Sequence, residues 1–316
     1  MVKFSLLGIV GIAAARLLGK GSVLVPECDG EMSGDHFFYL NTSRACHTRL
    51  FKWAFGVGMP LRNRLLRQAD CFVPISKAIE QEFLESGVPA DKIRPIPNGI
   101  DTDRFSPISD DARVELRQRL SLPTETLLVC YCGRLVKGKG VDHLLLAWER
   151  LFRSHPRKHL VIVGSGKNWF GGHEDSLRSF VEAHALTDST TFTGYVPNTG
   201  PEKSVVDYLR ASDVYVLPSE RDALPTTVME AMACGLPVVA SRVGGIVDLV
   251  SPRETGFLVD PRNVDHIAQA LETLAADPDL RRSMGRKGRR RIVADFSIDR
   301  VANIYIDPFV SIRARI

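Results

Sequence analysis

Between residues 126 and 294 the chain alternates short apolar runs with helical patterns, and this alternation limits the fold more than any other feature. Strands that alternate with helices form βαβ units, which give a parallel sheet with right-handed crossovers. The pattern predicts strands at residues 127–132, 159–164, 190–193, 214–218 and 238–240. It predicts helices near residues 142–154, 176–184, 205–210, 226–234 and 264–275. The fold class is therefore α/β.

Residues 222–240 combine the features of an anion site. The apolar run before them stops at Pro218, and Pro225 suits the first turn of a helix, where its missing N–H costs nothing. The predicted helix would end at Gly235, which tolerates a left-handed cap. Because free N–H groups and the helix dipole point outward together at a helix N-terminus, this stretch is suited to bind an anion.

Glu230 lies about one turn inside this predicted helix, among Val, Met and Ala residues. A carboxylate in apolar surroundings is costly unless a donor hydrogen-bonds it. The vicinal hydroxyls of a ribose are suitable donors. The alternative is that Glu230 is an exposed helix residue with no function.

This stretch resembles the signature of the retaining glycosyltransferases of family 4, also called group 1, which adopt the two-domain GT-B fold. Asp222 and Glu230 match the family's two acidic residues with seven residues between them, although the family usually has Glu at the first position. Residues 230–239 match the rest of the pattern without a break. The resemblance implies that Asp222 and Glu230 are the catalytic residues, with Asp222 contacting a hydroxyl of the donor sugar and Glu230 holding the ribose.

A second motif, Gly133-Arg-Leu-Val-Lys-Gly-Lys-Gly140, follows a predicted buried strand. It misses the P-loop pattern because Gly140 stands where Ser or Thr would hold magnesium, so a P-loop NTPase would lack its metal ligand. The family instead has an Arg and a Lys here that grip the donor diphosphate, and Arg134 and Lys139 match them. Two cations would stabilise the charge that develops on the leaving group. The alternative is a pair of surface cations in a loop.

The other predicted site residues come from the same edge of the predicted sheet. The N–H groups near Thr226 and Thr227 would add to the diphosphate site. Gly164 and Gly166 form a glycine turn after a strand, where the backbone can approach a nucleotide, although such a turn alone is a weak signal. The predicted nucleotide-binding residues are Gly133, Gly164, Gly166, Tyr195, Val196 and Glu230, the segment around Tyr195 forming the base pocket by resemblance.

The N-terminal segment has two interpretations. The apolar run after Lys3 is similar to a secretory signal, and it is too short to span a bilayer as a helix. The favoured interpretation is an internal helix that continues to Gly19 and precedes a strand at residues 22–25. The family resemblance then implies that the chain begins inside a domain, and we expect about 80 to 90 residues, at roughly 30 residues per unit, to be missing before it.

The domain boundary is predicted from residues 93–107, where Asn98-Gly99 forms a turn between stiffening prolines. This segment resembles the interdomain crossing of the family. We therefore predict a partial, acceptor-side N-terminal domain at residues 1–107, a nucleotide-sugar-binding domain at 108–296, and a C-terminal helix at 297–316 that crosses back to the first domain. The predicted fold is of the GT-B type, with two Rossmann-like parallel-sheet domains facing a cleft, the first one incomplete.

Composition adds limits. With 316 residues, 44% hydrophobic and 25% charged, the chain can form two cores and is not disordered. A net charge of +4 is compatible with an anionic substrate or an acidic membrane surface. The six cysteines form no C-x-x-C pair, which favours a reduced, cytoplasmic protein.

Arg62, Arg64 and Arg67, after Pro60, form a solvated helix face or a patch for lipid head groups. Further arginines cluster at residues 281–291 on a predicted helix.

Together these features predict a glycosyltransferase that moves a sugar from a nucleotide-sugar donor to a carbohydrate or lipid-linked acceptor with retention of anomeric configuration. Such an enzyme would serve polysaccharide, glycolipid or other glycoconjugate synthesis. We expect no metal or other cofactor, no nucleic-acid partner, and a cytoplasmic location with peripheral contact at the inner membrane face. Two alternatives stay open: a nucleotide-sugar epimerase on the same fold, and a truncated, non-catalytic nucleotide-binding or scaffold protein.

Overall fold

The computed structural model of this chain describes residues 6–26, 31–32, 49–154, 157–166, 172–200 and 203–313. The chain divides into two compact units. The first comprises Met1–Gly99, Asp222–Leu224 and Asp299–Ile316, and the second comprises Ile100–Arg221 and Pro225–Ile298.

The described part of the first unit contains a short parallel pairing of two strands. Its elements are α1 (Leu6–Leu17), β1 (Val23–Leu24), α2 (Arg49–Leu66), β2 (Cys71–Phe72) and α3 (Lys77–Glu85). In the pairing, Val23 lies opposite Cys71. The helix predicted after Pro60 starts earlier, because α2 continues through that proline. Ser76 caps α3, since its hydroxyl accepts a hydrogen bond from the N–H of Ile79.

The second unit contains a larger sheet with helices on its connections. Its strands are β3 (Leu127–Cys132), β4 (Lys158–Val163), β5 (Thr190–Gly194), β6 (Val214–Leu217), β7 (Val238–Ser241) and β8 (Gly256–Val259). Its helices are α4 (Asp110–Arg119), α5 (Val141–Ser154), α6 (Glu174–Ala183), α7 (Val205–Ala211), α8 (Thr226–Ala233), α9 (Ile246–Leu249), α10 (Val264–Ala276) and α11 (Pro278–Phe296). The last helix, α12 (Ile298–Arg313), leads into the part assigned to the first unit.

The strands of the second unit lie in the order β5-β4-β3-β6-β7-β8, and each neighbouring pair is parallel. The chain moves outward from β3 to β5, returns to the other side of β3, and then moves outward to β8. This is the doubly wound order, and its direction reverses between β3 and β6. The predicted α/β class and parallel sheet are confirmed, and every predicted strand and helix between residues 126 and 294 is present within two residues at each end.

The sequence pattern missed the edge strand β8, which is only four residues long and begins with a glycine. Gly256 is required there because a Cβ atom would lie 2.1 Å from the carbonyl oxygen of Val238 on β7. A strand whose first residue is chosen for close backbone approach gives a weak apolar signal.

The C-terminal helix contributes to the core of the first unit. Val301 on α12 packs in a buried cluster with Cys71, Val73 and Ile96, and Tyr305 packs against the same cluster. The division between the units falls after Gly99, whereas the prediction placed it near Pro107. Backbone pairing explains the position, because the Ile100 N–H donates to the carbonyl of Phe296 at 2.8 Å within the second unit.

The arginines predicted to form a solvated face or a lipid patch are partly engaged inside the first unit. The Arg62 guanidinium donates to the carbonyl of Glu31, and that of Arg67 donates to the carbonyl of Ser86 at 3.1 Å. Arg64 is exposed. Two of the three side chains therefore act as structural donors.

Among the described helices, none combines the length and apolar character needed to cross a membrane. In the same part of the chain Cys71, Cys130, Cys132 and Cys234 are buried, free thiols.

A buried arginine joins α4 to the start of the sheet in the second unit. Arg117 is 5% exposed, and its guanidinium donates to the carbonyls of Ala211 at 2.7 Å and Thr126 at 3.0 Å. The same group pairs with the Asp213 carboxylate at 2.8 Å, which also accepts from the N–H of Leu128. Since each of the three guanidinium nitrogens donates to an acceptor, the buried charge is compensated.

This network predicts that Arg117→Met destabilises the protein by about 3–5 kcal/mol, because it leaves Asp213 partly buried without its main partner. Arg119→Met is the matched control, since its guanidinium pairs with Asp207 but is 60% exposed. The control should cost at most about 1 kcal/mol. Equilibrium urea unfolding of both variants measures the difference, and equal losses would contradict a structural role for the buried pair.

Candidate functional site

The loops that follow β3, β4 and β6 meet at the point where the strand order reverses. The N–H of Gly133 donates to the carbonyl of Val163 at 3.0 Å, which joins the first two loops. The N–H of Glu220 donates to the carbonyl of Gly138 at 2.8 Å, which joins the loop after β3 to the loop after β6. Open α/β sheets bind ligands at this carboxyl edge, beside the switch point.

Two glycines allow these loops to approach each other. A Cβ atom on Gly164, whose φ is +136°, would lie 1.9 Å from the carbonyl oxygen of Gly133. A Cβ atom on Gly140, whose φ is +69°, would lie 2.0 Å from the carbonyl oxygen of Pro218. Packing between the loops is therefore enough to require glycine at both positions, so Gly164 by itself does not indicate a nucleotide.

Glu174, at the start of α6, organises the glycine turn and was missed by sequence reasoning. It is buried, and its carboxylate accepts hydrogen bonds from Ser165 Oγ at 2.9 Å, the Gly166 N–H at 3.0 Å and the Arg178 guanidinium at 2.8 Å. Burial acts to raise the pKa of Glu174, but these hydrogen bonds outweigh it and hold the pKa below its usual value. An acidic residue in the first helical turn, just after a glycine turn, was the signal available in the sequence.

The two predicted diphosphate cations lie in the loop between β3 and α5, Arg134 exposed and Lys139 half-buried. Their backbone positions are held by local hydrogen bonds. The Tyr131 hydroxyl donates to the carbonyl of Arg134 at 2.9 Å, and the N–H of Lys139 donates to the carbonyl of Val136 at 3.2 Å. The loop therefore presents both cations at the carboxyl edge of the sheet.

The N-terminus of α8 lies at the same edge. Pro225 occupies the cap position, and no side chain in the described part of the chain caps this helix. Thr226 is exposed, whereas the Thr227 side chain hydrogen-bonds the hydroxyl of Tyr215, which itself donates to the carbonyl of Cys132 at 3.1 Å. The first-turn N–H groups are therefore available to an anion.

Glu230, on α8, is 5% exposed, so the alternative of an exposed helix residue is wrong. Burial raises the pKa of Glu230 to about 7, and the positive charge of Arg104 opposes this shift. Within the residues that the structure describes, no hydrogen bond to its carboxylate is found, and its oxygens are not among the fully enclosed polar atoms without a partner, so water or a ligand can reach them. A buried carboxylate without a donor is costly, so this position favours a ligand that supplies donors.

Tyr195 and Val196 follow β5, whose last residue, Gly194, accepts a hydrogen bond from the N–H of Gly164 at 3.0 Å. The Tyr195 side chain is 80% exposed, and Val196 is half-buried. These residues adjoin the glycine turn after β4.

Asp222 is half-buried in the loop between β6 and α8. Residues 222–224 group with the first unit, whereas Glu230 belongs to the second. In the described ranges, no group of three or more His, Cys, Asp or Glu side chains is placed to bind a metal ion.

Two protein-family models match the chain, one over its N-terminal part and one over its C-terminal part. The family model described as Glycosyl transferases group 1 matches residues 112–291, and the model described as Glycosyltransferase Family 4 matches residues 7–104.

Two curated relatives match a large part of the chain. A D-inositol 3-phosphate glycosyltransferase from Corynebacterium jeikeium is 37% identical over 195 residues, which is 61% of this chain and 46% of that protein. A GDP-mannose-dependent alpha-(1-6)-phosphatidylinositol monomannoside mannosyltransferase from Mycobacterium tuberculosis is 32% identical over 255 residues, which is 77% of this chain and 63% of that protein. The chain thus spans about half to two thirds of the length of these relatives.

Among solved structures, the sucrose-phosphate synthase from Thermosynechococcus elongatus superposes with a TM-score of 0.80 at 28% identity. The superposition covers 99% of this chain and 73% of that one.

The burial of Glu230 predicts a pH dependence of stability. Because its pKa rises from 4.5 in the unfolded chain to about 7 in the folded chain, folding binds a proton in this range, and the stability that it adds at low pH is lost as the pH rises. Glu230→Gln should therefore raise the free energy of unfolding by roughly 1–3 kcal/mol near about pH 8 and by much less near about pH 5.

Urea unfolding at both pH values checks this expectation. Glu182→Gln, at an exposed position on α6, is the matched control and should leave the pH dependence unchanged. A Glu230→Gln protein no more stable than the wild type at the higher pH would show that the carboxylate has donors after all.

Proposed function

The chain belongs to the group 1 glycosyl transferases and has the GT-B fold, and we propose that it transfers a sugar from a nucleotide-sugar donor to an acceptor. The observation that most strongly supports this function is Glu230, a residue that is 5% exposed, has no hydrogen-bond donor in the described part of the chain, and keeps its carboxylate oxygens open to water or a ligand. It lies on the helix that follows the switch point of the sheet. Ribose hydroxyls would supply the donors that it lacks.

The donor diphosphate would lie at the carboxyl edge of the sheet. Arg134 and Lys139 would stabilise the negative charge that grows on the leaving diphosphate as the glycosidic bond breaks. The first-turn N–H groups of α8, at Thr226 and Thr227, would add hydrogen bonds and the positive end of the helix dipole. Asp222 would contact a hydroxyl of the donor sugar, and transfer would proceed with retention, both as the family resemblance implies.

The base would lie against the glycine turn at Gly164 and Gly166 and the segment at Tyr195 and Val196. The exposed Tyr195 ring offers an aromatic face, and aromatic rings stack in offset arrangements on planar partners. Glu174 would act as a positioning residue, because it holds the Gly166 N–H and the start of α6 in place.

We propose a carbohydrate or lipid-linked acceptor and a role in glycoconjugate synthesis. The name of the Mycobacterium tuberculosis relative describes a GDP-mannose-dependent enzyme and a phosphatidylinositol monomannoside. An acceptor of that kind would bring the protein into peripheral contact with the inner membrane face. An epimerase that needs no acceptor and a non-catalytic nucleotide-binding protein are the competing functions.

Product analysis separates these functions. The chain is incubated with nucleotide sugars, including GDP-mannose, with and without D-inositol 3-phosphate or phosphatidylinositol monomannoside. A glycosylated acceptor, with its anomeric configuration read by NMR, supports transfer and tests retention. An altered nucleotide sugar without acceptor supports the epimerase, and nucleotide binding without any product supports the non-catalytic protein.

The diphosphate site predicts that Lys139→Ala weakens the binding of nucleoside diphosphates by about 1.5–3 kcal/mol, the range for hydrogen bonds to charged groups. Lys137→Ala, at an exposed position two residues away in the same loop, is the matched control. It should have little effect, because it removes the same charge without touching the site. Calorimetry with several nucleoside diphosphates compares the two, and equal effects would mean that only the general positive field of the loop matters.

Cationic side chains and helix N–H groups would take the place of a metal ion in stabilising the leaving group. We therefore expect transfer activity to survive excess EDTA. Loss of activity with EDTA, followed by recovery with manganese or magnesium, would overturn this part of the proposal.

A further inference from the structure

A cavity of about 760 Å³ lies at the amino ends of the strands of the large sheet, opposite the proposed donor site at their carboxyl ends. Its wall includes Asp213 and Pro237, which directly precede β6 and β7, and Gly235, which follows α8. Because all strands are parallel, these residues mark the amino ends of the strands, whereas the donor loops follow the carboxyl ends. The cavity is therefore separate from the proposed donor site, and its whole wall belongs to the second unit.

The wall of this cavity is strongly basic. Of the described residues, seven arginines and two aspartates line it. Five of the arginines come from α11, at the positions Arg281, Arg282, Arg286, Arg289 and Arg290. Their helical spacing places them along one face, and Val293 extends that face by another turn.

Some of this charge is neutralised. Arg113 pairs with Asp110 and, at 3.2 Å, with Asp213, the two aspartates of the wall. Arg282 pairs with Asp279 at 2.7 Å. Both aspartates of the cavity wall are therefore already engaged in ion pairs.

Three other arginines are held by neutral acceptors. Arg210 donates to the carbonyl of Ser106 at 2.9 Å, Arg281 to that of Ala275 at 3.1 Å, and Arg289 to that of Phe105 at 3.0 Å. Carbonyl oxygens fix the position of a guanidinium but leave its full positive charge. These side chains are therefore pre-organised cations.

Arg286 and Arg290 are exposed, and in the described part of the chain neither forms an ion pair. A solvated basic helix is the simplest explanation of such residues. Three features are not explained by a solvated basic helix. The surface is concave, and neighbouring guanidinium groups are already fixed by carbonyl groups. Apolar side chains, including Ile108, Leu236 and Val293, also line the same wall.

We propose that this cavity binds an organic phosphate, an anion with a phosphate group attached to a less polar body. The guanidinium fork matches two phosphate oxygens, and the apolar part of the wall would cover the body of the ligand. The volume falls in the range of roughly 300–1,000 Å³ that is common for small-molecule sites. The phosphate group could belong to a soluble metabolite or to a phospholipid head group.

The test uses the full chain with Arg134→Ala and Lys139→Ala, so that the proposed donor site does not contribute. On this background, Arg286→Gln with Arg290→Gln removes two cavity cations while keeping a good helix former. The matched control is Lys287→Gln with Arg300→Gln, which removes the same charge at exposed positions outside the cavity wall. Thermal unfolding followed by circular dichroism shows that each protein is folded.

Calorimetry with phenyl phosphate and inorganic phosphate tests a soluble source. On the background protein we expect phenyl phosphate to bind more tightly than inorganic phosphate. The cavity variant should bind phenyl phosphate at least about tenfold more weakly than the background protein, and the control should bind it almost as tightly. If the double variant does not fold, each single variant should still lose about threefold. Sedimentation with phosphatidylcholine vesicles, with and without phosphatidylglycerol, tests the lipid source by the same comparison.

Selective loss of phenyl phosphate binding supports a soluble ligand, and selective loss of binding to phosphatidylglycerol vesicles alone supports a head group. The proposal is overturned if the background protein binds neither probe, or if the cavity variant and the control behave alike. Nucleoside-diphosphate binding by the wild-type chain is measured separately, so the donor site can fail or succeed independently of this cavity.

Discussion

The close backbone packing of three loops at the carboxyl ends of β3, β4 and β6 is the constraint on which the proposed donor site depends. Gly164 lies directly against the carbonyl of Gly133, and Gly140 against that of Pro218, so no side chain fits between the loops. This packing holds the glycine turn, the loop with Arg134 and Lys139, and the start of the loop after β6 in one arrangement before any ligand arrives. Pre-organised donors and cations stabilise developing charge without reorganisation during the reaction.

Glu230 is an energetically unfavourable residue within this pre-organised site. Its carboxylate is buried deeply enough to raise its pKa to about 7, and the charge of Arg104 offsets only part of that cost. A structural residue would be better as glutamine or an apolar side chain, because each of those avoids burying a charge. Local destabilisation of this kind is typical of positions kept for a ligand.

The parallel arrangement of the strands also explains why positive charge lies at both their carboxyl ends and their amino ends. Helix N-termini lie at the carboxyl edge, where Arg134 and Lys139 add to the helix dipole. Helix C-termini lie at the opposite edge, where carbonyl groups attract cations, and Arg289 indeed donates to the carbonyl of Ala233 at the end of α8. The arginines of α11 exceed what these carbonyls can use, and this surplus distinguishes the second cavity from an ordinary helix terminus.

The sequence by itself determined most strands and helices of the second unit, because apolar runs bounded by Gly and Pro are local signals, but it missed the short edge strand β8. It also located Glu230 on a helix, and the cations of residues 281–291 on another. Only the tertiary structure decided that Glu230 is buried, that Glu174 holds the turn at Gly166, and that α11 lines a cavity. The reason is physical: burial and hydrogen-bond partners depend on which elements become neighbours, and the order of strands in a sheet is not written in the periodicity of any one of them.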